Sequence, residues 1–300
     1  MNVVIVGYGK IGKVYFQILK NIKKIKKIYL IDKYENKKNN IYTIKSFDKT
    51  QKIKDINYAF VCSPSDLHYE HAAFFLKRKI PVLIEKPFVL KIRHAYDLIK
   101  LSKKYNTNCC SVFQNRYNKS ILRLKKIFQH KKDIKKIFFI DMKLFWKRDQ
   151  KYYNNGWHGK YKYDGGVLTN QSIHMLDALI YIFGKVKNFT VISGFNKKKL
   201  EAEDLISLQF KLQNGILVNY LATTRSDYNY EVSIDVLHSK KRYRIEGISM
   251  NKFFSYKDGK KIIDKKSSEN FKSGHGIHHK DLIIDFLNNN LKDFQIQKNL

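Results

Sequence analysis

The chain has 300 residues, 43% of them hydrophobic and 14% aromatic, which excludes a disordered chain and allows two domains with substantial cores. Its 59 lysines and arginines against 26 acidic residues give a net charge of +33, a balance that raises nucleic acid or an anionic membrane as a partner. Only eight of the basic residues are arginine, the residue that leads direct base readout, and the lysines run along the whole length instead of massing in one tail.

The charge therefore reads as a solvated lysine surface, with neither nucleic acid nor membrane expected as partner. A smaller anion, such as a nucleotide diphosphate, would still be drawn by this field. The apolar stretches fall short of the ~18–20 residues that span a bilayer. The first apolar run starts at Val3 and the glycine turn follows at once, so no secretory leader is expected before it. Three cysteines, Cys62, Cys109 and Cys110, show neither metal-ligand nor redox-pair spacing. A cytoplasmic protein without a metal site is expected.

In chain order, VVIV at 3–6 reads as a strand buried on both faces of a parallel sheet. GYGKIG follows at 7–12 and fits G-x-G-x-x-G. Alone the pattern is weak, because glycines also serve ordinary turns. Apolar residues at 14, 15, 18, 19 and 22 then mark a helical face, and IYLI at 28–31 forms a second strand ending in Asp32. Strand, glycine turn, helix, strand and terminal acid make the unit that the dinucleotide fingerprint requires. Gly7 permits the tight turn, Gly9 the approach of a pyrophosphate, and Gly12 close helix packing. Tyr8, Lys10 and Ile11 complete the phosphate turn at a helix N-terminus. Asp32 would accept the ribose hydroxyls and repel a 2′-phosphate, favouring NAD over NADP, although Lys33 beside it weakens that preference.

YAFVC at 58–62 is the next buried strand, followed by Ser63 and Pro64 as helix-start signals and a helix over 68–78. A strand over 81–84 runs into Glu85-Lys86-Pro87, a helix covers 92–105, and a strand over 108–113 leads into QNRYN. Strand and helix alternate as in a doubly wound sheet, whose ligands bind beyond the carboxyl ends of the strands. The glycine turn, Asp32, Ser63-Pro64, Glu85-Lys86 and Gln114-Asn115 all fall at such ends.

Beyond residue 117 the texture changes. A basic helix over 119–130 precedes alternating segments at 137–146, 205–212, 216–223 and 231–237, with Asn214-Gly215 as a hairpin signal. These strands lack helices between them, so an open, mostly antiparallel sheet is expected. One helix interrupts them, DGGVLTNQSIHMLDALIYIFG at 164–184, on which Asn170 and His174 would share a face. The division expected is 1–117 for an NAD-binding Rossmann domain and 118–300 for a substrate-binding and oligomerisation α/β domain.

GYGKIG, CSPSDLH at 62–68, IEKPF at 84–88, QNRYN at 114–118 and DGGVLTNQSIHMLD at 164–177 resemble, in order and spacing, the motif series of the Gfo/Idh/MocA oxidoreductases. The resemblance spans about 1–290 and implies an oxidoreductase moving hydride between a sugar or cyclitol carbinol and NAD(P). It implies Lys86 and His174 as the catalytic pair. Histidine titrates near neutrality and suits the proton acceptor. Lysine needs burial or a nearby positive charge to lower its pKa, and would polarise the oxygen or relay the proton; the reverse assignment stays open. Ser63, Pro64, His68, Glu85, Lys86 and Gln114 join the cofactor contacts. Lys86, Asn115, Arg116, Trp157, Asn170, Gln171 and His174 form the substrate contacts.

Many members of that family carry aspartate where this chain has Asn170. NQSIH, with GWHGKYKYDGG before it and SGHGIHH at 273–279, resembles the UDP-N-acetyl-hexosamine or uronic acid 3-dehydrogenase branch. That branch implies C3 oxidation of a nucleotide sugar for surface polysaccharide, and a homo-oligomer through the C-terminal sheet. Family chains usually continue beyond the helix over 278–290 into a further one, whereas this chain ends at Leu300. The alternatives are a free-sugar or inositol-type dehydrogenase, a non-catalytic dinucleotide-binding protein of the same fold, and a polyanion-binding protein.

Overall fold

The computed structural model describes residues 1–32, 42–44, 55–154, 158–163, 165–194, 200–271 and 276–291. The chain falls into two compact units, Met1–Val112 with His279–Leu300, and Phe113–His278.

The first unit is a doubly wound sheet. Its elements are β1 (Asn2–Val6), α1 (Lys10–Leu19), β2 (Lys27–Ile31), β3 (Tyr42–Ile44), β4 (Tyr58–Val61), α2 (His68–Leu76), β5 (Val82–Ile84), α3 (Ile92–Lys104) and β6 (Cys109–Ser111). The six strands run parallel in the order β3-β2-β1-β4-β5-β6. Val3 to Val6, Ala59 to Val61 and Val82 to Ile84 are all buried, as continuous apolar runs covered on both faces should be. The order reverses between β1 and β4, and the crevice beyond that switch point is where such sheets take ligands. The backbone there is firmly held: Gly7 N donates to Ile31 O and Cys62 N to Val6 O, both at 2.8 Å.

The expected single cut after residue 117 is corrected. The division falls after Val112, and the C-terminal helix His279–Leu287 belongs to the first unit. Phe286 packs edge-on against Tyr58 and Phe60 at centroid distances of 5.4 and 5.7 Å, and the Tyr58 hydroxyl donates to Leu287 O. An amphipathic helix declares that one face is buried but not against which sheet.

The second unit contains α4 (Lys119–Ile127), α5 (Lys131–Ile134), β7 (Ile137–Phe145), α6 (Gln150–Tyr153), α7 (Ile173–Phe183), β8 (Val186–Gly194), β9 (Leu205–Leu212), β10 (Leu217–Thr223), β11 (Glu231–His238), β12 (Lys241–Glu246), β13 (Lys252–Lys257) and β14 (Lys260–Ile263). Its eight strands are ordered β14-β13-β12-β11-β7-β10-β9-β8. Only β7 and β10 pair in parallel. Gly215, at φ +95°, turns the chain between β9 and β10, and Asn214 accepts the Ile216 N–H.

Ile140, Met142, Leu144, Leu208, Tyr220 and Ile234 form the inner face of this sheet, packed with Ile121 and Leu124 of α4 and Met175 and Leu179 of α7. The alternate residues Asp141, Asp235 and Arg244 stand opposite one another on the other face, the alternation of a sheet covered on one side. Strands β8 and β12 to β14 were not anticipated; β8 is exposed along most of its length, with Ile192 72% exposed.

The expected continuous helix over 164–184 is also corrected. A wide π-type turn, Val167–Gln171, precedes α7, and Ser172 N donates back to Val167 O. Val167 N and Leu168 N donate to Glu203 O and Oε1. The backbone of this turn is held by a distant residue, and Asn170 lies within the turn while His174 lies in α7.

Candidate functional site

In the first unit the glycine turn has the geometry of an anion cradle. Gly7 sits at φ +93°, and a Cβ there would lie 2.6 Å from Cys62 O. A Cβ on Gly12 would meet Gly7 O at 2.1 Å, so helix α1 packs directly on the turn. Gly9, by contrast, has open space: a Cβ would meet nothing within 4 Å. Gly9 is also the N-cap of α1 and carries no capping side chain, which leaves the N–H groups of the first turn available to an anion. Asp32 closes the cradle, its Oδ2 accepting the Tyr8 N–H at 2.6 Å. Lys10 is exposed and Ile11 half-buried beside it. These residues fit a dinucleotide pyrophosphate and its ribose.

At the ends of β4 and β5 the structure builds a braced loop pair. His68 is 1% exposed, and its Nδ1 and Nε2 each lie 2.8 Å from a backbone carbonyl, those of Pro87 and Ser63. Burial lowers its pKa, against the pull of those carbonyls. Both ring nitrogens face these carbonyls and the neutral imidazole donates to one of them, so His68 ties the two loops together. Glu85 is likewise engaged, Oε1 accepting from Tyr15 Oη at 2.9 Å and Oε2 from Lys86 N at 3.1 Å. Burial pushes its carboxyl up, opposed by those hydrogen bonds and by Lys86. Lys86, joined to Pro87 by a cis peptide, is half-buried. Ser63 Oγ lies 2.9 Å from His71 Nδ1, and Pro64 is exposed.

In the second unit the 114–117 turn packs on α7. Gln114 and Asn115 are buried, and Asn115 Oδ1 has no hydrogen-bond partner among the described residues. Arg116, expected to contact substrate, is buried, and its Nε and Nη2 lie 2.8 and 2.5 Å from the two carboxylate oxygens of Asp177. Phe113 presents its ring edge-on to His174 at 6.4 Å. His174, on the first turn of α7, is half-buried.

Residues the sequence did not single out complete this wall. The Tyr152 hydroxyl lies 3.3 Å from Gln171 Nε2 and 3.5 Å from Asn170 Nδ2, and the Tyr152 ring stacks on His158 at 4.0 Å. The Arg148 guanidinium covers the rings of Trp146 and Tyr152 at 4.6 and 5.1 Å. The only sequence signal was the density of Trp, Arg and Tyr in WKRDQKYY at 146–153. Trp157 lies outside the described residues. A cavity of about 440 Å³ lined by Trp146, Tyr230, Glu231, Arg244 and Glu246 holds none of the residues the sequence proposed. Among the described residues no helix is long and apolar enough to cross a membrane.

A Rossmann unit with an open glycine cradle, joined to a unit built on a one-sided mixed sheet, defines an NAD-binding oxidoreductase architecture. Two family models match the chain: an oxidoreductase family with an NAD-binding Rossmann fold over residues 1–113, and the GFO/IDH/MocA C-terminal domain over 121–244. The chain belongs to the Gfo/Idh/MocA oxidoreductase family.

Solved structures share the fold at low identity. The WlbA dehydrogenase from Chromobacterium violaceum, in complex with NADH and UDP-GlcNAcA, is 22% identical with a TM-score of 0.86, over 100% of this chain and 89% of that one. Its counterpart from Bordetella pertussis, with the same ligands, is 21% identical with a TM-score of 0.83, over 99% and 91%. The UDP-N-acetylglucosamine 3-dehydrogenase GnnA from Acidithiobacillus ferrooxidans is 15% identical with a TM-score of 0.75, over 96% and 88%.

Proposed function

We propose that this chain oxidises a ring carbinol, at C3, of a nucleotide-linked amino sugar or uronic acid, with NAD as cofactor. What carries the nucleotide-sugar reading is the likeness over the whole chain to dehydrogenases solved with NADH and UDP-GlcNAcA. The amide wall of Asn170 and Gln171 beside Tyr152, in reach of sugar hydroxyls, supports it.

In this reading Gly7, Tyr8, Gly9, Lys10, Ile11 and Gly12 hold the pyrophosphate at the start of α1, where the free N–H groups favour an anion. Asp32 accepts the ribose hydroxyls and disfavours a 2′-phosphate. Ser63 and Pro64 border the same crevice. Bound NAD supplies the hydride acceptor. His174 takes the proton of the substrate hydroxyl, and Lys86 polarises that oxygen. Asn115, Asn170 and Gln171 hydrogen-bond the sugar. His68, Glu85 and Arg116 act behind these residues as braces.

A second copy of the chain seated on the open sheet face is part of the same proposal. Leu217, 51% exposed, and Ile192 stand on that face. Light scattering of the purified protein tests it, and a monomer at working concentration overturns it.

The reaction is tested by NADH formation with UDP-N-acetylglucosamine and UDP-N-acetylglucosaminuronic acid against free glucose and inositol. Turnover of the nucleotide sugars is expected. Lys86→Met and His174→Asn should each lower kcat by about 10²–10⁴-fold while dinucleotide binding persists. Turnover of the free polyols alone would overturn the reading.

A further inference from the structure

The second unit contains six arginines, and five of them meet a carboxylate. Arg116 pairs with Asp177, Arg123 with Asp264, Arg225 with Asp204, Arg242 with Asp235, and Arg244 with Asp235, Glu231 and Glu246. Arg148 differs: among the described residues it has no carboxylate partner. The adjoining Asp149 does not serve, because its side chain caps α6 by accepting the Tyr152 N–H at 3.0 Å.

The guanidinium is nonetheless held in place. Arg148 N donates to Thr224 O at 3.1 Å, and its Nη1 donates to Lys147 O at 2.8 Å. The rings of Trp146 and Tyr152 lie against its planar head. Contacts with aromatic rings stabilise a cation less than a paired carboxylate does. Its Nε is buried without a hydrogen-bond partner among the described residues, and so is Nε1 of Trp146 beside it. Both atoms are donors only. Two neighbouring buried N–H groups without an acceptor are unusual enough to need an explanation, and an acceptor-only group with two oxygens supplies one.

We propose that Arg148, with Trp146 Nε1, binds an oxyanion of the substrate. The proposal rests on the nucleotide-sugar reading and adds to it the part of the wall that selects a charged substrate. Tyr152 links this place to the reacting end: one face of its ring meets Arg148, and its hydroxyl meets Asn170 and Gln171, just ahead of His174 in the chain. The oxyanion is a carboxylate on the sugar ring or the diphosphate of the carrier nucleotide, and both offer the same chemistry to a guanidinium fork.

The experiment compares wild type, Arg148→Gln and Arg148→Lys with NAD and two substrates, UDP-N-acetylglucosamine and UDP-N-acetylglucosaminuronic acid. Calorimetric binding of UDP and a thermal melt accompany the kinetics. Loss of a charge-assisted bond should raise KM by about 10–100-fold, with Arg148→Lys intermediate because it keeps charge but not the fork. A rise confined to the uronic acid assigns the carboxylate. An equal rise for both substrates, with weakened UDP binding, assigns the diphosphate. KM and UDP affinity unchanged in a well-folded Arg148→Gln protein overturns the proposal.

Should wild type turn over neither nucleotide sugar, the proposed reaction fails, and the anion site is read separately. Tryptophan fluorescence is then titrated with glucuronate, pyrophosphate and, as neutral control, glucose. A saturable response to either anion that Arg148→Gln abolishes supports the site. The absence of any such response in wild type overturns it.

Discussion

Arg116 and Asp177 form a forked ion pair inside the second unit, with side chains only 7% and 9% exposed. The pair pins the 114–117 turn to α7 three residues beyond His174. Burial pushes the Asp177 carboxyl up, while the Arg116 guanidinium draws it back down. Removing one partner of such a pair strands the other charge, and Arg116→Ala should cost about 3–5 kcal/mol in urea unfolding. Replacing both, as Arg116→Met with Asp177→Leu, should recover much of that loss. A cost below about 1 kcal/mol for the single variant would mean that the pair does not hold the helix.

The three glycines of the first turn should separate folding from binding. In Gly12→Ala the new methyl meets a backbone carbonyl that has nowhere to go, and the melting temperature should fall sharply. Gly9→Ala meets nothing, so it should cost only about 1 kcal/mol, the penalty of alanine at a helix N-cap. Dinucleotide affinity, followed by calorimetry, should nonetheless drop about tenfold or more, because the methyl occupies the approach to the backbone. Unchanged affinity in Gly9→Ala would remove the cradle from the reading.

Asp32 does two things at once, accepting the Tyr8 N–H and presenting a negative charge beyond β2. Asp32→Asn keeps an acceptor for that N–H and removes the charge. The ratio of kcat/KM for NAD over NADP should fall by about 10–100-fold. An equal loss with both cofactors would show that the residue only supports the turn.

His71 makes stability depend on pH. Burial, and secondarily the neighbouring His68, lower its pKa from 6.5 to about 4. Between those values the unfolded chain binds a proton that the folded chain refuses. This contribution is therefore fully present above pH 6.5 and declines as pH falls towards about 4. The span corresponds to roughly 3 kcal/mol at most. Thermal melts of His71→Gln across this range should show a flatter pH profile than wild type, and parallel profiles would refute the assignment.

The two halves were unequally readable. In the Rossmann unit the strands β1, β4 and β5 are buried along nearly their whole length and a helix follows each closely, so VVIV, YAFV and VLI announce themselves. In the second unit, β13 and β14 (KFFSYK and KKII) cluster their apolar residues side by side, and β12 (KRYRIE) sets only two among charged residues, so their alternation is faint. The turn at Val167–Gln171 reads as helix because its apolar residues continue the period of α7. Its first N–H groups are capped by Glu203, which no local pattern reveals.

The sequence by itself determined the Rossmann half, with its glycine turn and the acid beyond β2, because these strands, turn and helix follow one another within a few residues. Tertiary structure alone decided which titratable groups remain for a ligand. His68 and Arg116 stand out in the chain as polar motif residues, and their partners in the fold lie 19 and 61 positions away. Arg148 looks like one basic surface residue among many, and only the folded unit leaves it without a carboxylate among the described residues. The physical reason is common to all three. A charged side chain is defined by what balances it, and in a folded chain the balancing group is brought from a distance.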